Sequence, residues 1–264
     1  MSFTAPSCAA VPARAVTRPG RSMSGVFLPV TDELPPPPPV AVDLFGDRLP
    51  LAVAYAELLA TDGVVRGLIG PREAPRIWDR HLLNCATMTE LIPYGASVID
   101  VGSGAGLPGI VLSVARPDLS VVLVEPLARR TAFLAEVVTQ LGLDDAVSVV
   151  RGRAEEVRGE LAPADVVTAR AVAPLDRLAG WCLPLTAPGG RLLALKGASA
   201  SDEIAEHQTA IGRLGGATAV VRQCGVGLVD PPTTVVEIIR ERVVEPAQPR
   251  TASRGRGRGR TRRG

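Results

Sequence analysis

Ile99-Asp100-Val101-Gly102-Ser103-Gly104-Ala105-Gly106-Leu107-Pro108-Gly109-Ile110 is the stretch that decides the fold. A short aliphatic run from Ser97 ends on a carboxylate and Val101, gives way to alternating glycines, and resumes as an apolar stretch over residues 107–115. That is the pattern of a buried strand, a sharp turn and the start of a helix. The glycines let the backbone turn tightly and bring it against a ligand without a Cβ in the way.

The same rhythm continues outward. Strands are expected at residues 97–101, 119–125, 146–151, 165–169, 191–196, 217–223 and 233–240. Helices are expected between them at residues 127–141, 175–185 and 201–214, with Phe133, Leu134, Val137, Val138 and Leu141 on one face of the first. The turn Pro188-Gly189-Gly190 opens the fifth strand. Strands alternating with helices build right-handed crossovers and a parallel sheet. The last two strands are joined by about ten residues without a helix, so they pair antiparallel. Seven mostly parallel strands closed by an antiparallel terminal hairpin is the layout of an α/β, class I S-adenosylmethionine-dependent methyltransferase fold. Helices precede it: Leu51, Tyr55, Leu58 and Leu59 share a face, Thr61-Asp62-Gly63 reads as a break, and a second helix starts near Pro71 and turns Ile77, His81 and Leu82 inward.

Composition agrees. Aromatic residues are 3% of the 264, so the core is aliphatic, as a sheet buried on both faces requires. The net charge of +2 hides an asymmetry: seven arginines and no acid lie between Arg250 and Gly264, and without them the chain carries −5. A basic footprint over the whole domain is therefore excluded. Four domains of behaviour follow: a disordered proline-rich extension at 1–44 ending in Pro35–Pro39, a helical segment at 45–95, the cofactor-binding domain at 96–242 and a disordered Arg/Gly-rich tail at 243–264. The extension reads as a spacer or as a ligand for a proline-binding partner. The tail reads as an RNA-binding run or as a solubilising one. Cys8, Cys85, Cys182 and Cys224 form no CxxC pair and His81 and His207 lie far apart, so no metal site is expected and the thiols read as reduced and buried. No apolar run reaches the ~18 residues of a membrane span, and a cytoplasmic chain is expected.

Gly104–Gly109 also spells GxGxxG, which serves dinucleotides as readily as S-adenosylmethionine. Asp100, two residues before Gly102, tips the balance: a carboxylate there suits a cationic amino-acid ligand and sits poorly beside a pyrophosphate. Glu125 ends the second strand about 20 residues on, where it can accept both ribose hydroxyls; as an acid before Pro126 it also suits a helix start. The alternatives are a methyltransferase for another substrate and an NAD(P)-dependent oxidoreductase, though no Tyr-x-x-x-Lys supports the latter.

The motifs, taken in order, resemble one family. They are the run Ile99–Ile110 with its Leu107-Pro108-Gly109, then Arg129-Arg130 with Phe133-Leu134, Arg153-Ala154-Glu155-Glu156, Ala169-Arg170-Ala171-Val172-Ala173, Trp181-Cys182 and Ala194-Leu195-Lys196-Gly197. Between Leu51 and Arg240 the chain resembles the small-subunit (16S) ribosomal RNA guanine-N7 methyltransferases, the glucose-inhibited division protein B family. The resemblance implies S-adenosylmethionine as cofactor and N7 of a 16S rRNA guanine as methyl acceptor, in free rRNA or in the 30S particle. It carries over cofactor contacts at Gly102 and Leu107, with Ala154 and Glu155 flanking the adenine and Arg170 near the methyl donor and the RNA. The family's His-to-Asp-Ser pattern is here His81-Leu82-Leu83-Asn84-Cys85, so no RNA contact is carried over to the N-terminal helices.

The expected cofactor set is therefore Asp100, Gly102, Gly104, Gly106, Leu107, Glu125, Ala154, Glu155 and Arg170. Guanine N7 already bears a lone pair, so no general base is needed. Arg170 and Lys196, at the ends of the fourth and fifth strands, are the expected catalytic cations, positioning RNA by stacking or by holding phosphate; salt bridging is the alternative for both. His81 and His207 are expected to be structural or solvated, and Trp181 to lie in the core. A monomer without metal or membrane attachment is expected.

Overall fold

A computed structural model describes residues 34–170 and 173–244. Its centre is a sheet of β1 (Ser97–Val101), β2 (Ser120–Glu125), β3 (Val147–Arg151), β4 (Ala164–Arg170), β5 (Thr186–Leu195), β6 (Val220–Cys224) and β7 (Thr233–Ile239). The strand order is β3-β2-β1-β4-β5-β7-β6. The first five strands pair in parallel, and β7 runs antiparallel between β5 and β6. This is the class I methyltransferase topology that the alternation of strands and helices predicts. The chain leaves β1 toward β2 on one side and later returns to β4 on the other, so a crevice opens between β1 and β4 at their carboxyl ends.

The strands feed two cores. Val98, Val121, Leu123, Val166 and Leu193 face one layer, while Ile99, Val101, Val124, Val167 and Leu192 face the other, as the two-residue period of a strand dictates. The first layer is covered by the N-terminal helices α1 (Val40–Phe45), α2 (Leu49–Leu58) and α3 (Leu83–Ala86), with α4 (Gly109–Ala115) and α5 (Ala128–Gln140). The second is covered by α6 (Ala154–Val157), α7 (Leu175–Cys182) and α8 (Ala200–Arg213). Helix α5 buries Phe133, Leu134, Val137 and Val138, the expected face.

Several boundaries differ from expectation for identifiable reasons. Helix α1 begins at Val40, inside the stretch expected to be disordered, and buries Ala41 and Phe45. Phe45 meets Trp78 edge-on, and Trp78 Nε1 donates to the Pro35 carbonyl at 3.0 Å, so local packing orders the end of the proline run. Thr61-Asp62-Gly63 does not break its helix: residues Leu59–Gly63 form a widened π-turn that continues α2, and Leu59 and Gly63 stay buried. Pro188-Gly189-Gly190 lies inside β5 rather than ahead of it. Gly189 adopts φ 80°, and the register with β4 slips between Ala164 and Val166. The short helix α6 has no long apolar period to announce it; Glu156 Oε2 accepts the Arg153 amide at 3.0 Å and starts it. Residues 1–33 and 245–264, the extension up to residue 33 and nearly all of the Arg/Gly-rich tail, lie outside the described residues. Among the described residues no helix is long and apolar enough to cross a membrane, and no three potential metal ligands cluster.

Candidate active site

The glycine turn is held from beneath. Gly102 and Ser103 donate to the Val124 carbonyl at 2.9 and 3.2 Å, which ties the end of β1 to β2. Asp100 is fully buried; its Oδ2 accepts the Gly109 amide at 3.0 Å and its Oδ1 accepts the Thr168 hydroxyl at 3.2 Å. Burial pushes its pKa up to about 6, despite hydrogen bonds that favour the charged form. Asp100 is not among the residues that line the cavity above the turn, where its place before the glycines suggested a ligand contact. It ties the start of α4 to β1 and β4. A Cβ on Gly109 would stand 2.9 Å from Asp100 Oδ2, so only glycine permits this approach. Gly106, at φ 102°, passes under Tyr55, whose hydroxyl donates to the Ala105 carbonyl at 2.8 Å. Leu107 is buried with it. The N-terminal helices thus brace the turn directly.

Above the turn lies a cavity of about 380 Å³ at the carboxyl ends of β1, β2 and β3. Gly102, Glu125, Ala154 and Glu155 line it. Of the residues expected to hold the cofactor, these four come together. Gly104 meets them through its amide, which donates to Glu125 Oε2 at 3.0 Å. Glu125 Oε1 accepts the Leu127 amide at 3.0 Å. Each carboxylate oxygen keeps a second lone pair for a hydroxyl. Of the two roles expected for Glu125, the helix-start acid is seen in its contact with the Leu127 amide; the clamp on the glycine turn is an additional role.

Three residues outside the expected cofactor set complete this site. Trp181 lines the cavity half-buried, not in the core; Arg177 stacks over its ring at 5.4 Å. Its helical spacing with Leu178 and Leu185 is a core signal, but it sits one position off the buried stripe of α7. Arg130 lines the wall with its Nη1 3.7 Å from Glu125 Oε2, and its Nε is buried without a partner. A cation in the first turn of a helix opposes the helix dipole, which was the available signal. Arg153 lines the far wall. A carboxylate for hydroxyls, an aromatic face and an unpaired buried N–H fit a nucleoside-bearing ligand such as S-adenosylmethionine.

Beside it, across the β1–β4 pairing, a wider cleft of about 940 Å³ opens at the ends of β4 and β5. Arg76, Arg80, Arg170 and Lys196 give it a basic wall. Arg170 is therefore in this cleft and not in the cavity. Its Nη1 lies 3.0 Å from His81 Nδ1 and 3.4 Å from the Arg80 carbonyl. Lys196 is engaged: its Nζ donates to Glu203 Oε2 at 2.6 Å and to the Ala173 carbonyl at 3.0 Å. The salt-bridging alternative describes Lys196 here. His207 lies on α8, 4.0 Å from Asp176 Oδ1. Cys85, Cys182 and Cys224 are buried free thiols, each pushed up by burial.

Comparison with known proteins agrees with the resemblance read from the motifs. The profile of the family described as GidB, rRNA small subunit methyltransferase G, matches residues 48–228. The ribosomal RNA small subunit methyltransferase G of Salinispora tropica is 70% identical over 230 residues, covering 84% of this chain and 95% of that protein. Its counterpart from Streptomyces avermitilis is 60% identical over 206 residues, covering 78% and 86%. That of Corynebacterium efficiens is 58% identical over 207 residues, covering 78% and 89%.

Proposed function

The chain belongs to the rRNA small subunit methyltransferase G family, S-adenosylmethionine-dependent enzymes, and from that premise we propose that it methylates N7 of a guanine in 16S rRNA. The observation that carries the proposal is the division of the strand ends into two compartments: an acid-and-aromatic cavity over β1–β3 and a basic cleft over β4–β5.

When bound, S-adenosylmethionine supplies an electrophilic methyl group on a sulfonium. Gly102 and the Gly104–Glu125 clamp would form the floor of its site, Glu125 would accept ribose hydroxyls, and Ala154, Glu155 and Trp181 would hold the adenine. Guanine N7 attacks with an in-plane lone pair, so the chain has no proton to remove. Its residues have to hold N7 in line and exclude misaligned poses, which is worth about 7–11 kcal/mol when orientation is complete. Arg170, a planar cation in the cleft, is suited to stacking on the base or gripping a phosphate. Lys196 is held by Glu203 and contributes from there as part of the cleft wall. The site needs no metal, and the enzyme acts as a cytoplasmic monomer.

The test is to incubate the protein with labelled S-adenosylmethionine and naked 16S rRNA, whole 30S subunits or free nucleosides, then map the label. Methyl on N7 of one rRNA guanine is expected, and the first two arms decide between free RNA and the particle. Label on another base, or on no RNA, would overturn the proposal. Arg170→Ala should cut turnover by about two orders of magnitude with cofactor affinity and folding retained.

A further inference from the structure

Among the described residues, His81 is a buried titratable group beside the cleft that the proposed chemistry leaves without a task. It stands in the widened turn Ile77–Leu82 of the N-terminal segment, with 12% of its side chain exposed. Its two ring nitrogens face different partners. Nδ1 lies 3.0 Å from Arg170 Nη1, and Nε2 lies 3.2 Å from Glu73 Oε2. Glu73 also accepts from Arg80 Nη1 at 3.2 Å.

The chemistry of the partners fixes the ring. A guanidinium has only N–H donors, so Nδ1 must accept and carries no proton. The imidazole proton is then on Nε2, which is buried without hydrogen-bond geometry to a partner, although the Glu73 carboxylate stands 3.2 Å away. We propose that neutral His81 is a positioning residue: it accepts from Arg170, whose donor-only guanidinium sets the tautomer, and holds that guanidinium at the cleft in the orientation that receives RNA. The Arg80 carbonyl, 3.4 Å from the same Nη1, is the second point of attachment. Arg170 ends β4 and has a long, rotamer-rich side chain, so these contacts limit its orientations before RNA arrives.

The charges around His81 keep it in the required state. Burial and the neighbouring Arg170 and Arg80 charges push it down to about 4, outweighing Glu73, which acts the other way. At neutral pH the ring is therefore uncharged. A protonated ring would turn an N–H toward Arg170 and lose the contact.

The inference rests on the proposed RNA-facing role of Arg170, and the test separates the two. Four variants are compared for kcat and KM on rRNA and for S-adenosylmethionine affinity: His81→Phe, His81→Asn, Arg170→Ala and the double His81→Phe/Arg170→Ala. Phenylalanine keeps the ring and removes the acceptor; asparagine places an acceptor oxygen where Nδ1 was. His81→Phe should lower kcat/KM for rRNA by about tenfold with cofactor affinity unchanged, and His81→Asn should recover most of it. The double variant should be no worse than Arg170→Ala alone, because His81 acts through Arg170. Wild-type kcat/KM in His81→Phe, failure of asparagine to rescue a folded variant, or losses that multiply in the double variant would each overturn the positioning role. Wild-type turnover in Arg170→Ala would instead remove the Arg170 assignment, and this inference with it.

Discussion

Glu125 Oε2 accepts the Gly104 amide at 3.0 Å, so the acid that ends β2 clamps the glycine turn that ends β1. With Oε1 on the Leu127 amide, one buried carboxylate orders the turn, starts α5 and lines the cavity. Glu125→Ala should leave both amides unsatisfied and remove the hydroxyl acceptor together. Cofactor affinity, measured by calorimetry, is expected to fall at least tenfold, with a stability loss of about 1–3 kcal/mol. Glu125→Gln keeps one acceptor oxygen and should fall between. Unchanged affinity in Glu125→Ala would remove the residue from the cofactor site.

Asp100 predicts a pH signature. Its folded pKa, about 6, is above the unfolded carboxylate value of about 3.9. Between those values the folded chain keeps a proton that the unfolded chain has released. Stability from this group is full below about 4 and is lost as pH rises through 6, by up to about 3 kcal/mol. Asparagine can still accept from Gly109 and donate to the Thr168 hydroxyl without ionising. The Tm of Asp100→Asn minus that of the wild type should therefore climb from pH 4 to 6 and level off above. His81 has the opposite sign: its folded value, about 4, lies below about 6.5, so its contribution is present above pH 6.5 and is lost on acidification. A Tm difference for Asp100→Asn that stays flat across the window would contradict the buried, protonatable Asp100.

How far the sequence discloses this molecule depends on the range of the interaction. Aliphatic runs of period two and helices of period 3.6 are local, and they yield the seven strands and their antiparallel ending. Gly102, Glu125, Ala154 and Glu155 meet because strand ends converge at one edge of a parallel sheet, which the topology already implies. The inward contacts of Asp100 leave no local signal, because its partners, Gly109 and Thr168, are 9 and 68 positions away. For Lys196 the sequence leaves RNA positioning and salt bridging both open, and the partner that decides between them, Glu203, belongs to the next helix. The contact of His81 with Arg170 is equally silent in the sequence, because the two lie 89 positions apart. Side-chain partnership across the sheet leaves no periodic trace.

Trp181 provides an optical handle. The chain has two tryptophans: Trp78 is buried among the N-terminal helices, while Trp181 lines the cavity. Adding S-adenosylmethionine or its demethylated product should change the Trp181 emission. The change should vanish in Trp181→Phe and persist in Trp78→Phe. Trp181→Ala should weaken cofactor binding by about 0.5–1.5 kcal/mol beyond lost contact area, roughly two- to twelvefold. A signal that survives Trp181→Phe would place the cofactor elsewhere.

The arginine tail makes a prediction from charge alone. Seven arginines follow Pro249 while the remainder of the chain carries −5. If the tail contacts phosphates, each neutralised phosphate steepens the dependence of binding on salt, by about 0.7 in log–log slope on single strands and about 0.9 on duplex. Truncation after Pro249 is expected to weaken rRNA affinity at low salt and flatten that slope by several units, while kcat on saturating RNA stays the same because Arg170 and the cofactor cavity remain. The measurement is rRNA binding across a salt series for both chains. Equal slopes would assign the tail to solubility and leave RNA capture to the basic cleft of Arg76, Arg80 and Arg170.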